Sequence, residues 1–98
     1  MPNYEGVRNN KKQTLVILVD SKSTHNFIDH TIAKRLKCKI QGVNVVRVIV
    51  ANGDTLKAQE VCKMVSWESQ GFVQDTNFLV LPLKGCDLVL GVQWLQTL

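Results

Sequence analysis

The sequence contains 98 residues, of which 45% are hydrophobic and 20% are charged, and its net charge is +4. This composition is typical of a globular protein and excludes a disordered one, and the length predicts a single domain over residues 1–98. The longest apolar runs, residues 15–19 and 78–83, are far shorter than the roughly 20 residues of a membrane helix, so we expect no membrane partner. Residues 1–13 are polar and lack a signal-peptide core, which predicts an intracellular, cytoplasmic protein.

The first part of the chain predicts a strand followed by a helix. Residues 1–13 are interpreted as a loose lead-in or a weak first strand, whereas the five apolar residues 15–19 predict a buried strand. Apolar residues then recur every four positions, which predicts an amphipathic helix over residues 29–37. Asp29 is the expected N-cap, because its side chain can accept a hydrogen bond from an N–H of the first turn.

Predicted strands dominate the rest of the chain. Asn52 and Gly53 separate the valine-rich residues 43–51 from residues 55–67, and Asn-Gly between two such runs predicts a β-hairpin because both residues tolerate positive φ. The sequence therefore predicts a mostly β fold, a small closed β domain with one clear helix. Further along the chain we expect a turn at residues 68–71, strands at 72–81 and 88–90, and a short C-terminal helix at 92–98.

Three motifs that contain candidate functional residues lie along these predicted elements. The first strand runs into an acidic turn with the sequence LVILVDS, the hairpin tip reads VANGD, and the last apolar strand reads LVLG before VQWL. Together with the segment STHNFI at residues 23–28, these motifs resemble the retroviral-type, retropepsin-like aspartic proteases, in particular those of plant gypsy-class retrotransposon polyproteins. The resemblance extends from about Leu15 to Leu95.

This resemblance implies an aspartic endopeptidase that processes a polyprotein without a metal or other cofactor. It also implies a homodimer that binds an extended peptide, because each chain is half of a two-lobed enzyme and supplies one of two aspartates. Two carboxylates so close together share one proton, which allows one to activate water while the other polarises the peptide carbonyl.

The resemblance also assigns the site residues. Asp20 is the expected catalytic aspartate, and Ser21 takes the place of the hydroxyl residue that braces the paired loops. The remaining assignments are the substrate-binding flap at Ala51, Asn52, Gly53 and Asp54, and support of the catalytic loop at Leu90 and Gly91.

Lys22 departs from the family motif, which has glycine after Asp-Ser or Asp-Thr. Glycine allows close backbone approach and unusual φ values, which lysine does not. A nearby ammonium group also favours ionisation of both carboxylates, which removes the proton that the pair must share. We therefore expect poor peptide cleavage. The alternative is a catalytically inactive domain of the same fold that serves peptide binding or dimerisation.

The chain ends at Leu98, just after the predicted C-terminal helix, where the family usually continues. We therefore expect a domain truncated at its C-terminus. Because retroviral-type dimers commonly interleave terminal strands, the chain alone is expected to be monomeric or weakly dimeric.

Other candidate sites are better explained as structure. The spacing of the three cysteines includes no CxxC motif. We therefore expect Cys38, Cys62 and Cys86 to be small buried thiols in a reducing compartment. His25 and His30 are five residues apart, which is unsuited to a metal pair on one helix face. The basic residues between positions 34 and 39 lack interleaved aromatic residues, so nucleic acid is not the expected partner.

Overall fold

Seven strands and one helix make up the part of the chain that the computed structural model describes, namely residues 3–9, 14–49, 53–69 and 71–92. Strands predominate, which confirms the predicted mostly β fold with one helix. The strands are β1 (Asn3–Asn9), β2 (Thr14–Val19), β3 (Phe27–Asp29), β4 (Ile40–Ile49), β5 (Thr55–Ser69), β6 (Phe72–Leu81) and β7 (Leu88–Leu90), and the helix is α1 (His30–Arg35).

The strands form one sheet in the order β1-β2-β7-β3-β6-β5-β4. The pairs β2–β7 and β3–β6 are parallel, and the other neighbours are antiparallel. β1 pairs with β5 as well, through Arg8 opposite Glu68 and Asn9 opposite Trp67. Because this contact covers only two residue pairs, the closed form of the domain stays a prediction.

β2 differs from its prediction as a fully buried strand. Leu15 and Ile17 are each 1% exposed, whereas Val16 between them is 40% exposed. Successive side chains of a strand point to opposite faces, so β2 buries one face and leaves the other partly open. All three residues of β7 are buried, because this strand lies between β2 and β3.

α1 begins where the sequence predicted and ends earlier. The Asp29 side chain accepts a hydrogen bond from the Thr31 N–H, which confirms Asp29 as the N-cap. The helix ends at Arg35, since Leu36 is its C-cap and Lys37 has a positive φ of 55°. Ile32 and Ala33 are the buried face, and they attach the helix to the sheet.

The predicted hairpin is present as the antiparallel pair β4–β5, with Ile49 opposite Thr55. Gly53 has a φ of 89°, as its place in the turn requires, whereas Asn52 lies outside the described residues. The second turn is tighter than residues 68–71, because Ser69 already pairs with Phe72. The predicted helix at 92–98 lies outside the described residues except for Val92.

Two apolar clusters fill the fold. The larger packs α1 against the sheet, and the smaller lies where Phe27, Ala58, Leu81 and Val89 meet. Buried residues of the larger cluster include Leu15, Ile17, Ile28, Ile32, Leu36, Cys62, Trp67, Phe78, Leu88 and Leu90. The prediction of three buried thiols was wrong in part, since Cys62 is buried but Cys38 and Cys86 are only half-buried.

Candidate active site

Asp20 lies at the point where β2 ends, and its backbone is bound to β7. Its N–H donates a hydrogen bond to the carbonyl oxygen of Leu90 over 2.9 Å. β2 and β7 are parallel neighbours, with Val19 opposite Leu90, so both strands deliver their last residues to the same edge. The structure thus brings together Asp20 and Leu90, two of the predicted site residues.

The carboxylate of Asp20 organises the turn that follows. Its Oδ1 accepts a hydrogen bond from the Lys22 N–H at 2.9 Å, and its carbonyl oxygen accepts one from the Ser23 N–H at 3.1 Å. A side chain that accepts from the backbone two residues later is the Asx arrangement that favours aspartate in turns. Asp20 is half-buried and Ser21 is exposed, so the carboxylate lies at the surface of a fixed turn.

Gly91 locks this turn from the β7 side, and glycine is required for steric reasons. A Cβ atom at Gly91 would lie 2.5 Å from the carbonyl oxygen of Ser23 and 2.5 Å from that of His25. The next residue, Val92, donates its N–H to the same Ser23 oxygen at 2.8 Å. The predicted support of the loop by Gly91 therefore has a physical basis in close backbone approach.

Asn26 is a site-forming residue that the sequence analysis did not identify. It is only 4% exposed, and its Oδ1 accepts a hydrogen bond from the Gly91 N–H at 2.8 Å. Its carbonyl oxygen accepts from the Leu79 N–H of β6. The available signal was a single amide residue between a polar turn and the apolar Phe27 and Ile28, which is too weak to assign a partner.

Two further aspartates support the strands beneath the site. Asp87 accepts a hydrogen bond from the Val16 N–H through Oδ2 and donates its own N–H to the Val16 carbonyl oxygen, each at 2.8 Å. Asp29 uses its second carboxylate oxygen to accept from the Leu83 N–H at 2.9 Å. The side chains of Asp87 and Asp29 are thus structural hydrogen-bond acceptors.

Lys22 occupies the second position of the turn after Asp20, with its side chain exposed. The non-glycine residues with positive φ in the described part of the chain are Lys37 and Met64, so Lys22 does not need a left-handed backbone. Within one chain the lysine is therefore sterically acceptable. A steric clash of the Lys22 side chain can therefore arise only with another molecule that approaches the turn.

The structure describes two of the four predicted flap residues. Gly53 and Asp54 are both exposed at the far end of the β4–β5 hairpin. Ala51 and Asn52, the other two predicted flap residues, lie outside the described residues.

The described residues contain neither a cluster of candidate metal ligands nor a helix that could span a membrane. Those ranges contain no group of three or more His, Cys, Asp or Glu residues that could hold a metal ion. His25 has Thr24 Oγ1 as the hydrogen-bond partner of its Nδ1. The helix among those residues, α1, is six residues long, and none there is long and apolar enough to cross a membrane.

Residues 16–98 match the family described as the PEG10/RTL1 protease domain. This match covers most of the chain, including the Asp20 turn, the hairpin and β7. The chain belongs to the PEG10/RTL1 protease domain family. No curated protein matches it significantly.

Solved structures resemble this PEG10/RTL1 protease domain in fold. The retroviral protease-like domain of Ddi1 from Leishmania major has a TM-score of 0.69 at 16% identity, over 96% of this chain and 74% of that one. EIAV protease complexed with the inhibitor HBY-793 has a TM-score of 0.73 at 19% identity, over 99% of this chain and 88% of that one. The domain therefore has the retroviral protease fold, which confirms the expected retropepsin-like architecture.

Proposed function

We propose that this domain is an aspartic endopeptidase of a plant gypsy-class retrotransposon polyprotein, which it cleaves at extended peptide segments. The observation that carries the proposal is the fixed turn at Asp20, where a surface carboxylate is held between β2 and the Gly91 end of β7. The fold of the domain and the match to the LVDS, VANG and LVLG segments support the same function.

The active unit contains two copies of the chain, because one domain supplies one such carboxylate. When the two Asp20 turns meet, their carboxylates share a single proton, since two adjacent charges are unfavourable. Protonation is then a property of the pair rather than of either residue.

The ionised carboxylate takes a proton from a bound water, and that water attacks the peptide carbonyl carbon. The protonated carboxylate donates its hydrogen bond to the carbonyl oxygen, which becomes the hydroxyl of a tetrahedral intermediate. Transfer of a proton to the leaving nitrogen breaks the C–N bond and regenerates the pair. No acyl-enzyme forms and no metal is needed. Gly53 and Asp54 belong to the flap that covers the peptide and excludes water.

Lys22 reduces this activity in the proposed dimer. Its exposed side chain follows Asp20 by two residues, so its ammonium group enters the interface where the two turns meet. There it favours ionisation of both carboxylates and crowds the partner's turn. If the loss of activity is complete, the domain serves peptide binding or dimerisation, which is the second candidate function that Lys22 favours.

The function of Asp20 is tested with Asp20→Asn, which keeps the shape of the side chain and removes the ionisable group. Cleavage of a peptide from the parent polyprotein is expected to disappear. The matched control is Asp75→Asn on β6, whose exposed carboxylate accepts from Ser66 Oγ, and it should retain the activity. Equal cleavage by the Asp20→Asn and unmodified chains would show that Asp20 is not catalytic.

The effect of Lys22 is tested with Lys22→Gly, which restores the family motif. We expect cleavage at least about tenfold faster than that of the unmodified chain, equivalent to about 1.4 kcal/mol in the barrier. Lys84→Gly is the matched control, because it also removes one exposed lysine from a loop. The inhibitory role of Lys22 fails if both lysine variants cleave at the rate of the unmodified chain.

Dimerisation is tested by the mass in solution, measured with and without a transition-state-analogue inhibitor of aspartic proteases. We expect monomer or weak dimer alone and dimer with the inhibitor, since the inhibitor contacts both copies. A mass that stays monomeric at saturating inhibitor would argue against the paired site.

A further inference from the structure

Two of the three cysteines are neighbours at the base of the β4–β5 hairpin. Cys38 lies between α1 and β4, and its N–H donates a hydrogen bond to the carbonyl oxygen of Ala33 at 3.1 Å. Cys62 lies on β5 directly opposite Ile40, only two residues beyond Cys38. Cys38 packs against the apolar cluster that contains Cys62.

The two cysteines are neighbours that differ in access to solvent. Cys38 lies two residues before Ile40, which pairs with Cys62, and it packs against the apolar cluster that contains Cys62. Cys62 is completely buried, whereas Cys38 is half-buried and can be reached by a small reagent. One thiol of the pair is therefore accessible to solvent, and the other is buried next to it.

We propose that Cys38 and Cys62 form an intramolecular disulfide when the protein meets a disulfide oxidant such as oxidised glutathione. The thiolate of Cys38 attacks one sulfur of the oxidant, which releases one molecule of reduced glutathione and leaves a mixed disulfide. Cys62 then loses its proton to water and attacks the Cys38 sulfur. The second glutathione leaves as a thiolate, so two protein thiols are oxidised and one glutathione disulfide is reduced.

The environment of Cys62 fixes the order of these steps. Hydrogen bonding with Cys38 raises the pKa of the Cys62 thiol far above its ordinary value, and burial and the charge of Glu60 raise it further. Cys62 is therefore a poor first nucleophile and acts only when an oxidised Cys38 sulfur lies against it.

Cys86 has a different environment. Burial raises the pKa of its thiol, and the negative charges of Asp87 and Asp29 raise it further. No other cysteine shares its apolar cluster, which is the smaller one around Phe27 and Val89. The disulfide therefore forms between Cys38 and Cys62 and leaves Cys86 reduced.

The disulfide encloses all of β4 and the hairpin tip in one covalent loop, since both lie between positions 38 and 62. It also ties the end of α1 to β5. A cross-link that restricts the unfolded chain raises stability when native geometry already brings the two sulfurs together.

The test is to incubate the purified chain with oxidised glutathione and to map the products by non-reducing tryptic digestion and mass spectrometry. Lysines flank the three cysteines, so trypsin places Cys38 in residues 38–39, Cys62 in residues 58–63 and Cys86 in residues 85–98. We expect residues 38–39 cross-linked to residues 58–63, with the mass of two hydrogens lost. A cross-link to residues 85–98, a stable glutathione adduct at Cys38, or no mass change would overturn the proposal.

Variants and thermal unfolding give a second readout that does not depend on proteolytic activity. Oxidation should raise the Tm of the unmodified chain and of Cys86→Ser by roughly 10 °C. It should leave the Tm of Cys38→Ser unchanged, and this half-buried position tolerates the substitution better than Cys62. An equal rise in Tm for Cys38→Ser would contradict the assigned pair.

Discussion

The Asp20 turn and the β4–β5 hairpin are stabilised in different ways. The turn is tied to the end of β7 by hydrogen bonds from Asp20 to Leu90, from Gly91 to Asn26 and from Val92 to Ser23. β4, in contrast, is the last strand of the sheet order, and among the described strands it pairs only with β5. No residue of β4 is buried, and Ile49 is 77% exposed.

This difference agrees with the separate needs of the proposed enzyme. In the proposed dimer the Asp20 carboxylate meets a second carboxylate, which needs a backbone held on several sides, and close packing supplies it. The proposed flap needs weak attachment, and a strand held mainly by its neighbour's ladder provides that. The free energy of unfolding of variants in the Asp20 turn, compared with that of variants in the β4–β5 hairpin, tests this contrast.

The largest effect is expected from Gly91→Ala. Its Cβ would lie 2.5 Å from two backbone oxygens, those of Ser23 and His25, which cannot move without displacing the turn. We expect a loss of about 3 kcal/mol in urea unfolding. The control is Gly42→Ala in the hairpin, where no atom lies within 4 Å of the added Cβ, and its stability should change little. An equal loss of unfolding free energy in Gly91→Ala and Gly42→Ala would show that the Asp20 turn is not held more tightly than the hairpin.

A smaller loss is expected from Asn26→Ala, which leaves the N–H of Gly91 without its acceptor in a buried position. The expected cost is about 2 kcal/mol in the free energy of unfolding, because a buried donor loses its partner. Asn77→Ala is the control, since this exposed amide accepts from the Met64 N–H where water can replace it. It should cost less than about 1 kcal/mol, and the reverse ranking would contradict the role of Asn26.

The smallest effects are expected along β4. Ile49→Ala removes an exposed side chain and should change the free energy of unfolding by less than about 0.5 kcal/mol. Val46→Ala, on the half-buried face that packs against the smaller cluster, should cost about 1 kcal/mol. A larger cost for Ile49 than for Val46 would indicate that the outer face of the hairpin is covered.

The elements that the sequence predicted well are those defined by local signals. β6 and β7 have the predicted bounds, because turn-forming residues flank each of them. The hairpin follows from Asn52-Gly53, and the start of α1 follows from the capping residue Asp29. The position of Asp20 at the end of a strand was also visible, because LVILV precedes it directly.

The missed features depend on partners far away in the chain. β3 has only three residues, and it exists because β6 and β7 pair with it on either side. The exposure of Val16 depends on which face of β2 receives the core, which five apolar residues in a row do not reveal. The role of Asn26 depends on Gly91, whose N–H lies 65 positions later.

The parallel pairing of β2 with β7 has a consequence for synthesis of the protein. Val16 is hydrogen-bonded to Asp87, 71 positions later, and Ile17 pairs with Leu88. During translation β2 follows β1, which pairs with one of its edges, but its other edge has no partner until β7 is synthesised. Contacts this distant in sequence form slowly, and the waiting strand is open to aggregation. The synthesis of β7 therefore controls when β2 can complete its pairing.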